Sequence, residues 1–261
     1  MNPKISACII CFNEKDNTLK CLNSLRWVDE IIIVDSFSTD GTVEVCRKFA
    51  DEVKDKIRVE FKQNKWPGFV NQKNYTLTLA INDWVISLDS DETVSDGLKT
   101  EIEELWKTDA PNKYAGFYTP RQTFYLGKWI KHGGWHPDYK LRLFRRSKAK
   151  WDGIDPHDKV VLNAGETKRL KNPIVHTNYL NLSEQLDTIN NFSTVSSEAL
   201  LKIDKKFSLL NLIFRPPIKF IETYFFKLGF LDGLAGFIIS VNSAFYVFNK
   251  YAKMWEKKLK L

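Results

Sequence analysis

The chain has 261 residues, which corresponds to one large domain or to one domain with an appendage. Hydrophobic residues make up 43% and charged residues 27%, a balance that excludes a disordered or fibrous protein. The formal net charge is +7, and its whole excess lies at the end of the chain, because the 28 basic and 28 acidic residues of positions 1–201 cancel.

The first hundred residues alternate short apolar runs with helical patterns. This alternation is typical of β-α-β units, and it predicts an α/β, Rossmann-like fold with a mostly parallel sheet and helices on both faces. In such sheets, ligands bind beyond the carboxyl ends of the strands. The predicted strands are Ile5–Cys11, Glu30–Val34, Val59–Phe61 and Trp84–Leu88, and the predicted helices are Asp16–Leu25, Thr42–Phe49 and Phe69–Ala80.

The four cysteines all lie in the first 50 residues, and Cys8 and Cys11 form a C-x-x-C pair. No second pair or nearby histidine completes a zinc site, and both residues lie inside an apolar run. We therefore expect small core residues in a reducing compartment. The opening residues Met1–Lys4 lack the apolar stretch of a signal peptide, which indicates a cytoplasmic protein.

Polar residues follow three of the predicted strands. Asn13 and Glu14 follow the first, residues 35–42 follow the second, and residues 89–92 follow the fourth. Each group alone has a structural explanation, since Asp40 could cap a helix and Asp35 could begin an Asx-turn. Three such groups at one edge of a sheet favour a functional site.

The D-x-D pair formed by Asp89 and Asp91 is the sharpest local signal. Two carboxylates just beyond a buried strand can share a hard divalent cation with the phosphate oxygens of a ligand. Further along, Lys140–Phe144 resembles a strand, and Ser183–Leu201 is predicted as an amphipathic helix. Ser183 is its expected N-cap, with Leu186, Ile189 and Phe192 on one side.

The C-terminal region combines aromatic, aliphatic and basic residues. Pro216 and Pro217 are expected to break or restart a helix. The 21 residues of Leu228–Phe248 carry one charge, that of Asp232, which is borderline for a bilayer span. The basic, aromatic end favours an in-plane helix on an anionic membrane surface over a nucleic-acid arm, so no nucleic acid is expected as a partner. A spanning helix and a hairpin packed on the core remain alternatives.

Taken together, these motifs resemble the family 2 glycosyltransferases, which have the GT-A fold. The order and spacing match over the first hundred residues, and later segments are similar to a bacterial subgroup that includes the lipopolysaccharide core β-1,4-glucosyltransferases. The early motifs are Ile9–Glu14, Val34–Thr42 and Leu88–Glu92, and the later ones are Gly68–Asn74, Phe124–Trp129, His132–Tyr139, Arg142–Arg146 and Phe230–Gly233.

The resemblance implies roles for the strand-end residues. Asp35 matches the position that contacts the nucleobase, usually uracil, and Asn13 and Glu14 lie in the same nucleotide pocket. Asp89 would lie near the ribose and the metal, while Asp91 would bind the cation, Mg²⁺ or Mn²⁺, that bridges the diphosphate.

Five more residues carry expectations. Lys73 and Arg142 could each neutralise phosphate charge. Enzymes of this fold often place a downstream histidine on the metal, which makes His157 or His176 a ligand. Phe37 departs from the glycine that is usual in the Asp-Ser-Gly-Ser pattern of the subgroup, which bears on the backbone of that loop.

The implied reaction breaks the bond between a sugar anomeric carbon and a diphosphate. The acceptor hydroxyl needs a general base, and a carboxylate on the side of the sugar opposite the diphosphate gives inversion. Asp138 is the first choice because the family base precedes a basic Arg-Leu-like segment. Asp158 is the rival, although the subgroup usually has Glu after the preceding histidine.

The predicted organisation is a GT-A domain in residues 1–200, with a nucleotide-sugar half (1–110) and an acceptor half (111–182), followed by a helical membrane-associating region (201–261). The expected activity moves a sugar, glucose by resemblance, from a UDP-sugar or similar donor to a lipid-linked glycan such as lipopolysaccharide core, at the cytoplasmic face of the membrane. Alternatives are a peptide or protein acceptor, and a non-catalytic nucleotide-sugar or membrane-binding module.

Overall fold

The computed structural model describes residues 3–155, 157–177, 179 and 181–259. The chain forms two compact units. Residues 122–138 lie in the second unit together with the C-terminal region. The first unit comprises Met1–Arg121, Tyr139–Gly153 and Asp158–Thr177, and the second comprises Gln122–Asp138, Ile154–His157 and Asn178–Leu261.

The first unit is built on the predicted parallel sheet. Every residue of its first two strands is buried, as expected for strands covered by helices on both faces. The sheet order is β3-β2-β1-β4-β8-β6-β12-β5, in which β3 to β4 are parallel and β8 pairs antiparallel with β4. The strands are β1 (Ile5–Cys11), β2 (Glu30–Asp35), β3 (Arg58–Gln63), β4 (Trp84–Asp89), β5 (Glu92–Val94), β6 (Tyr114–Tyr125), β7 (Lys128–Trp129), β8 (Asp138–Arg145), β9 (Ala149–Ile154), β10 (His157–Leu162), β11 (Glu166–Arg169) and β12 (Ile174–His176).

Five helices in the described part of the first unit pack against this sheet. The main core combines aliphatic side chains of β1, β2 and β4 with the aromatic group of Trp84, Trp106 and Phe117, whose ring centroids lie 5.1–6.0 Å apart. Ser95 caps one helix by accepting a hydrogen bond from the amide of Leu98. The helices of this unit are α1 (Lys15–Asn23), α2 (Thr42–Val53), α3 (Phe69–Leu79), α4 (Asp96–Trp106) and α5 (Ala110–Lys113).

The cysteines are core residues, as the sequence predicts. All four are buried free thiols, and burial raises the pKa of Cys8 to about 12. Burial likewise raises the pKa of Cys21. These thiols are therefore neutral at physiological pH and pack as small apolar groups.

The second unit is mainly helical and contains α6 (Leu182–Lys202), α7 (Leu209–Ile221) and α8 (Gly233–Leu259). A π-helical turn and a short 3-10 turn separate α7 from α8. The predicted N-cap of α6 is wrong by two residues, because Asn181, rather than Ser183, accepts the hydrogen bond from the amide of Glu184.

Two further expectations about these helices are wrong. The face of α6 that packs inward carries Ser193, Ser196 and Ser197 beside Ile189, whereas Leu186 and Phe192 are exposed. Small side chains let a neighbouring helix approach closely. Because serines are not apolar, the hydrophobic periodicity of the sequence does not reveal this buried face. In addition, α7 continues through Pro216 and Pro217, although an interior proline loses its N–H donor and its ring crowds the carbonyl four residues earlier; the fixed φ of proline is itself compatible with a helix.

Candidate functional site

The loops after β1 and β2 are tied together by Asn13. Its backbone N–H donates to Ser38 Oγ at 2.8 Å, and its side-chain oxygen accepts from the Thr39 amide at 2.8 Å. The adjacent Glu14 amide donates to Thr42 Oγ1 at 3.1 Å. Asn13 has a positive φ of 50°, a conformation that asparagine tolerates better than most residues. The two polar segments expected at one sheet edge therefore form one connected structure.

Asp35 lies beneath this structure and is fully buried. Its Oδ2 accepts from the Ser38 amide and from Gln63 Nε2, both at 3.0 Å, and its Oδ1 accepts from Ser38 Oγ. The Asx-type turn that the sequence left open as an alternative is therefore formed. Asp35 is therefore already engaged within the chain before any nucleobase binds.

The outer part of the same loop holds two residues of different kinds. Asp40 accepts from the amides of Thr42 and Lys15 at 3.0 and 3.1 Å. Partial burial opposes its charge, but these hydrogen bonds prevail and lower its pKa. Phe37 takes φ of 63°, which costs a non-glycine residue about 1–2 kcal/mol, and leaves its ring half exposed. This conformation is the one for which the subgroup's glycine is suited.

An alternating chain of charges lies beyond β4. Lys73 Nζ contacts Asp158 Oδ2 at 2.8 Å and Asp89 Oδ1 at 2.7 Å. Arg142 Nη2 contacts Asp89 Oδ2 at 2.8 Å and Glu92 Oε1 at 2.7 Å. We call these five residues the ion chain. Each cation in it is shared by two carboxylates, and each oxygen of Asp89 is occupied by one cation.

The ion chain is mostly buried, which determines its protonation. The side chains of Lys73 and Arg142 are each 5% exposed and that of Glu92 is 0% exposed. Burial alone would raise the pKa of Asp89, but the charges of Lys73 and Arg142 prevail and hold that pKa well below its ordinary value. Glu92 and Asp89 likewise raise the pKa of Arg142 against the effect of burial. Both groups are charged at every physiological pH.

Trp151 forms an aromatic wall beside the two cations. Its ring centroid lies 4.3 Å from Lys73 Nζ and 5.4 Å from Arg142 Cζ, within cation–π range. Asn74 fixes this wall by exchanging hydrogen bonds of 2.8 and 2.9 Å with the Trp151 backbone. The wall holds α3 and β9 together directly beside the ion chain.

Asp91 has a different partner from Asp89. Its Oδ2 lies 3.0 Å from His176 Nε2, and its backbone oxygen accepts from the Thr177 amide. His176 is 6% exposed, and its Nδ1 is a buried nitrogen that has no hydrogen-bond partner among the described residues. The structure thus brings His176 to the D-x-D pair, whereas His157 lies in the second unit with its Nε2 3.4 Å from the Tyr246 hydroxyl.

The donor set at Asp91 fits a divalent cation that binds together with a ligand. The described residues contain no group of three or more His, Cys, Asp or Glu side chains arranged to hold a metal on their own. Asp91 and His176 offer one carboxylate and one imidazole, and Mg²⁺ commonly takes one or two carboxylates while phosphates and water complete its shell. Asp89 offers less, because its two oxygens already accept from Lys73 and Arg142.

The two candidate general bases are placed differently. Asp158 belongs to the ion chain and is 11% exposed, while Asp138 begins β8 and belongs to the second unit. Sequence reasoning missed Glu92 as a partner of Arg142, although it directly follows the D-x-D pair. It also missed Trp151, for which the sequence offers no signal, because its role depends on the pairing of α3 with β9.

A parallel α/β sheet whose strand ends carry a connected polar loop, a D-x-D pair and two buried cations defines a GT-A-type glycosyltransferase fold. The sequence model described as "Glycosyl transferase family 2" matches residues 6–166. The chain belongs to this family of glycosyltransferases, and the predicted fold class and enzyme class are confirmed.

Relatives extend over nearly the whole chain. It is 30% identical over 260 residues to the lipopolysaccharide core biosynthesis glycosyltransferase LpsC of Rhizobium meliloti, an alignment that covers 98% of this chain and 94% of that protein. Two solved structures share the fold at low identity. They are the mannosyltransferase PcManGT from Pyrobaculum calidifontis in complex with GDP-Man and Mn²⁺ (TM-score 0.59, 12% identity, covering 99% and 88% of the two chains) and S. aureus TarS 1-349 in complex with UDP-GlcNAc (TM-score 0.55, 13% identity, covering 98% and 92%).

Proposed function

We propose that this glycosyltransferase moves a hexose from a nucleotide-diphosphate sugar to a hydroxyl of a lipid-linked glycan in lipopolysaccharide core synthesis, with inversion at the anomeric carbon. The observation that carries the proposal is the ion chain beside the Asp91–His176 pair at the strand ends of a family 2 chain. The similarity to LpsC supports the acceptor class. The nucleotide sugars in the names of the solved relatives support the donor class.

The donor diphosphate would lie against the strand-end loops. Lys73 and Arg142 are held in place by their carboxylate partners before any ligand arrives, so their N–H groups could bind phosphate oxygens without reorganisation. Asp91 and His176 would hold the divalent cation, which supplies Lewis-acid stabilisation of the departing diphosphate. The loop tied by Asn13 over Asp35 would bind the nucleoside, and the exposed ring of Phe37 offers a stacking surface for the base.

Asp138 is our proposed general base, and Asp158 is proposed to position Lys73. In the ion chain Asp158 Oδ2 accepts a hydrogen bond from Lys73 Nζ at 2.8 Å, and taking the proton of a hydroxyl would compete with that contact. A base must lie within hydrogen-bond reach of the acceptor hydroxyl, and the place of Asp138 ahead of the basic segment that begins at Arg142 supports its assignment. Removing Asp138 is expected to lower turnover by about 10²–10⁴-fold.

The first test measures whether nucleotide binding depends on a metal at Asp91. UDP is expected to raise the melting temperature when Mn²⁺ or Mg²⁺ is present and far less when it is absent. Asp91→Asn should abolish the metal-dependent part, whereas Asp51→Asn, an exposed position on α2, should retain it. Equal shifts for wild type and Asp91→Asn would contradict the assignment of the metal ligand.

The second test measures the reaction itself. Hydrolysis of UDP-, GDP- and ADP-sugars by the full chain identifies the donor, and transfer to a lipid-linked core glycan identifies the acceptor. Asp138→Asn should lose turnover with little change in KM, and Asp158→Asn should mainly raise KM by loosening Lys73. Wild-type turnover in Asp138→Asn would make Asp158 the base, and an absence of hydrolysis and transfer with every donor would favour the binding-module alternative.

A further inference from the structure

The second unit exposes an unusual amount of apolar surface on one stretch of chain. Residues 209–248 hold 16 of the 31 large hydrophobic side chains that are exposed in the described part of the protein. Monomeric proteins rarely leave such a concentration uncovered unless it contacts a partner or a membrane. We call this surface the apolar face, and it consists of Leu209, Leu210, Ile213, Phe214, Ile218, Ile221, Phe225, Phe226, Leu228, Phe230, Leu231, Leu234, Phe237, Val241, Phe245 and Phe248.

The centre of the apolar face lies at the turn between α7 and α8. Phe226 is 80% exposed and Leu234 is 74% exposed, and both flank the two short helical turns there. The acidic side chains of this stretch are neutralised within the chain. Asp232 is buried and accepts from the amides of Lys131 and His132, and Glu222 forms ion pairs with Lys219 and Lys227.

The hairpin between β6 and β7 adjoins the same turn. Lys128 Nζ donates to the Asp232 carbonyl, and the Gly133 amide donates to the Lys227 carbonyl, both at 2.8 Å. The hairpin exposes Phe124 and Trp129, whose rings pack at 5.1 Å. The hairpin therefore adds two exposed aromatic rings to the same unit, and Trp is a residue enriched at the depth of lipid headgroups.

A cluster of uncompensated positive charge flanks the apolar face. Burial lowers the pKa of Lys250, and the nearby charges of Arg215, Lys205 and Lys219 lower it further. Arg215 and Lys250 lie over the same ring, that of Tyr251, at 5.9 and 5.3 Å. In the described part of the chain no carboxylate pairs with Lys205, Arg215 or Lys250. An anionic membrane surface would supply the counter-charge that these cations lack among the described residues.

The other side of α8 is fastened to α6 by polar contacts. Tyr246 and Ser196 hydroxyls lie 2.7 Å apart, Asn242 Nδ2 donates to Gln185 Oε1 at 2.5 Å, and Lys253 Nζ donates to Ser193 Oγ at 2.9 Å. The segment Gly229–Leu259 is long and apolar enough to cross a bilayer, but crossing would carry these polar groups into hydrocarbon. The contacts favour a helix that stays in the plane of the membrane surface.

We propose that the apolar face is inserted into one leaflet of an anionic membrane, with α7 and α8 lying in its plane and Lys205, Arg215 and Lys250 at the lipid phosphates. The inference deepens the proposed function, because it names the surface through which an enzyme with a lipid-linked acceptor would reach its substrate. A second copy of the chain is a poorer occupant, since two such faces would bring the same uncompensated cations together.

Insertion is tested with sealed vesicles of phosphatidylcholine and phosphatidylglycerol. The full chain should bind them. The double variant Phe226→Glu/Leu234→Glu should bind at least about tenfold more weakly, because two apolar side chains no longer enter the hydrocarbon and two negative charges oppose entry. Ile81→Glu is the matched control, as Ile81 is 61% exposed in the first unit, and it should bind like wild type. Equal binding by wild type and the double variant would overturn the proposal.

The headgroup contacts are tested by removing charge. Arg215→Gln and Lys250→Gln should each weaken binding to these vesicles by about fivefold and reduce the salt dependence. Neither should alter the weaker binding to pure phosphatidylcholine. Lys48→Gln, an exposed position on α2, is the control and should change nothing. Equal losses in all three variants would indicate a general charge effect and would contradict the cluster.

In-plane insertion is distinguished from spanning by the accessibility of single cysteines. Because the four native thiols are buried, Lys206→Cys and Lys258→Cys introduce exposed thiols on either side of α7 and α8. In spheroplasts that express the full chain, a membrane-impermeant maleimide should label both or neither, and lysis should expose both. Labelling of one alone from outside would mean a spanning helix and would overturn the proposal.

Failure of this inference is separable from failure of the proposed function. Donor hydrolysis and the metal-dependent UDP shift should be unchanged in Phe226→Glu/Leu234→Glu, because neither residue belongs to the ion chain. Vesicle binding without any hydrolysis would leave the surface assignment intact and reject the activity. A wild-type dimer that ignores vesicles, and that the double variant converts to a monomer in sedimentation velocity, would identify a second copy as the occupant.

Discussion

Positive charge is paired in the ion chain of the first unit and unpaired in the basic cluster of the second, which consists of Lys205, Arg215 and Lys250. Lys73 and Arg142 are buried, and each is shared by two carboxylates of the same chain. Lys250 and Arg215 lie beside other cations and an exposed apolar face. In one region the cations are paired with carboxylates of the same chain and fixed in place, while the other has unmet charge and uncovered apolar surface.

This difference matches the different requirements of catalysis and of membrane association. A catalytic region benefits from charges that are fixed before the substrate arrives, since no reorganisation then accompanies the reaction. A surface that associates with a membrane benefits from unmet charge and apolar area, because these are what the membrane supplies. Cations lie near aromatic rings in both regions. We therefore expect removal of a cation to lower the free energy of unfolding much more in the ion chain than in the basic cluster.

Replacing Arg142 tests the first half of this contrast most severely. Arg142→Met leaves Glu92 as a fully buried carboxylate whose closest cation is gone, and the expected loss of unfolding free energy is about 3–5 kcal/mol. Urea unfolding followed by circular dichroism measures it. Arg26→Met is the control, because it breaks the exposed Arg26–Glu52 pair and should cost no more than about 1 kcal/mol. Similar losses in both variants would mean that burial of the ion chain contributes nothing.

Removing Gln185 tests whether the second unit depends on its polar α6–α8 seam. Gln185 Oε1 accepts from Tyr125 Oη and from Asn242 Nδ2. Gln185→Leu would leave two buried donors without an acceptor, and we expect a loss of about 2–4 kcal/mol in unfolding free energy. Gln185→Glu keeps an acceptor and should lose less. If the leucine variant were as stable as wild type, the seam would give no reason for α8 to stay in the membrane plane.

The pH dependence of stability tests the protonation of the ion chain. Because the pKa of Asp89 is lowered on folding, its ionised form contributes stability that is present above the unfolded pKa of about 3.9 and is lost as pH falls towards the folded value. Asp89→Asn should therefore be less stable at pH 7 but decline less steeply between pH 5 and pH 3. Urea unfolding at several pH values measures the two slopes, with Asp51→Asn expected to follow wild type. Parallel curves for wild type and Asp89→Asn would contradict the pairing.

Removing a cation from the basic cluster should have the smallest effect. In Lys250→Met, relief of the repulsion from Arg215 and Lys205 is opposed by the lost cation–π contacts with Tyr246 and Tyr251 at 5.6 and 5.3 Å. The expected change in unfolding free energy without lipid is within about 0.5 kcal/mol. A loss as large as that of Arg142→Met would mean that Lys250 is compensated within the chain.

Local periodicity was sufficient for the parallel part of the sheet and the helices that cover it. Ile5–Cys11 is predicted with the bounds that the structure has, and the other early strands and helices differ by a few residues at their ends. Strands buried on both faces are continuous apolar runs, so their signal is strong. The N-cap of α6 was mispredicted because Asn181 is as good a capping residue as Ser183, and α7 continues through two prolines against their local preference.

For the site, the sequence located the strand ends but not the partners across them. Asp89 and Asp91 were predicted to bind one cation together. In the structure Asp89 contacts Lys73 and Arg142, whereas Asp91 contacts His176. His176 lies 85 residues from Asp91, and Asp158 lies 85 residues from Lys73. No local pattern encodes such contacts, which depend on the pairing of β12 with β5 and on the packing of α3 against β9.

The amino-acid order alone determined the α/β architecture, the edge of the sheet that carries acidic groups, and the location of the excess positive charge. These properties depend on hydrophobic periodicity and composition, which act over a few residues at a time. Only the tertiary structure decided which charge neutralises which, and which apolar side chains remain uncovered. Those outcomes depend on distances between segments far apart in the chain, and a change of a few ångströms separates a buried ion pair from an unmet cation.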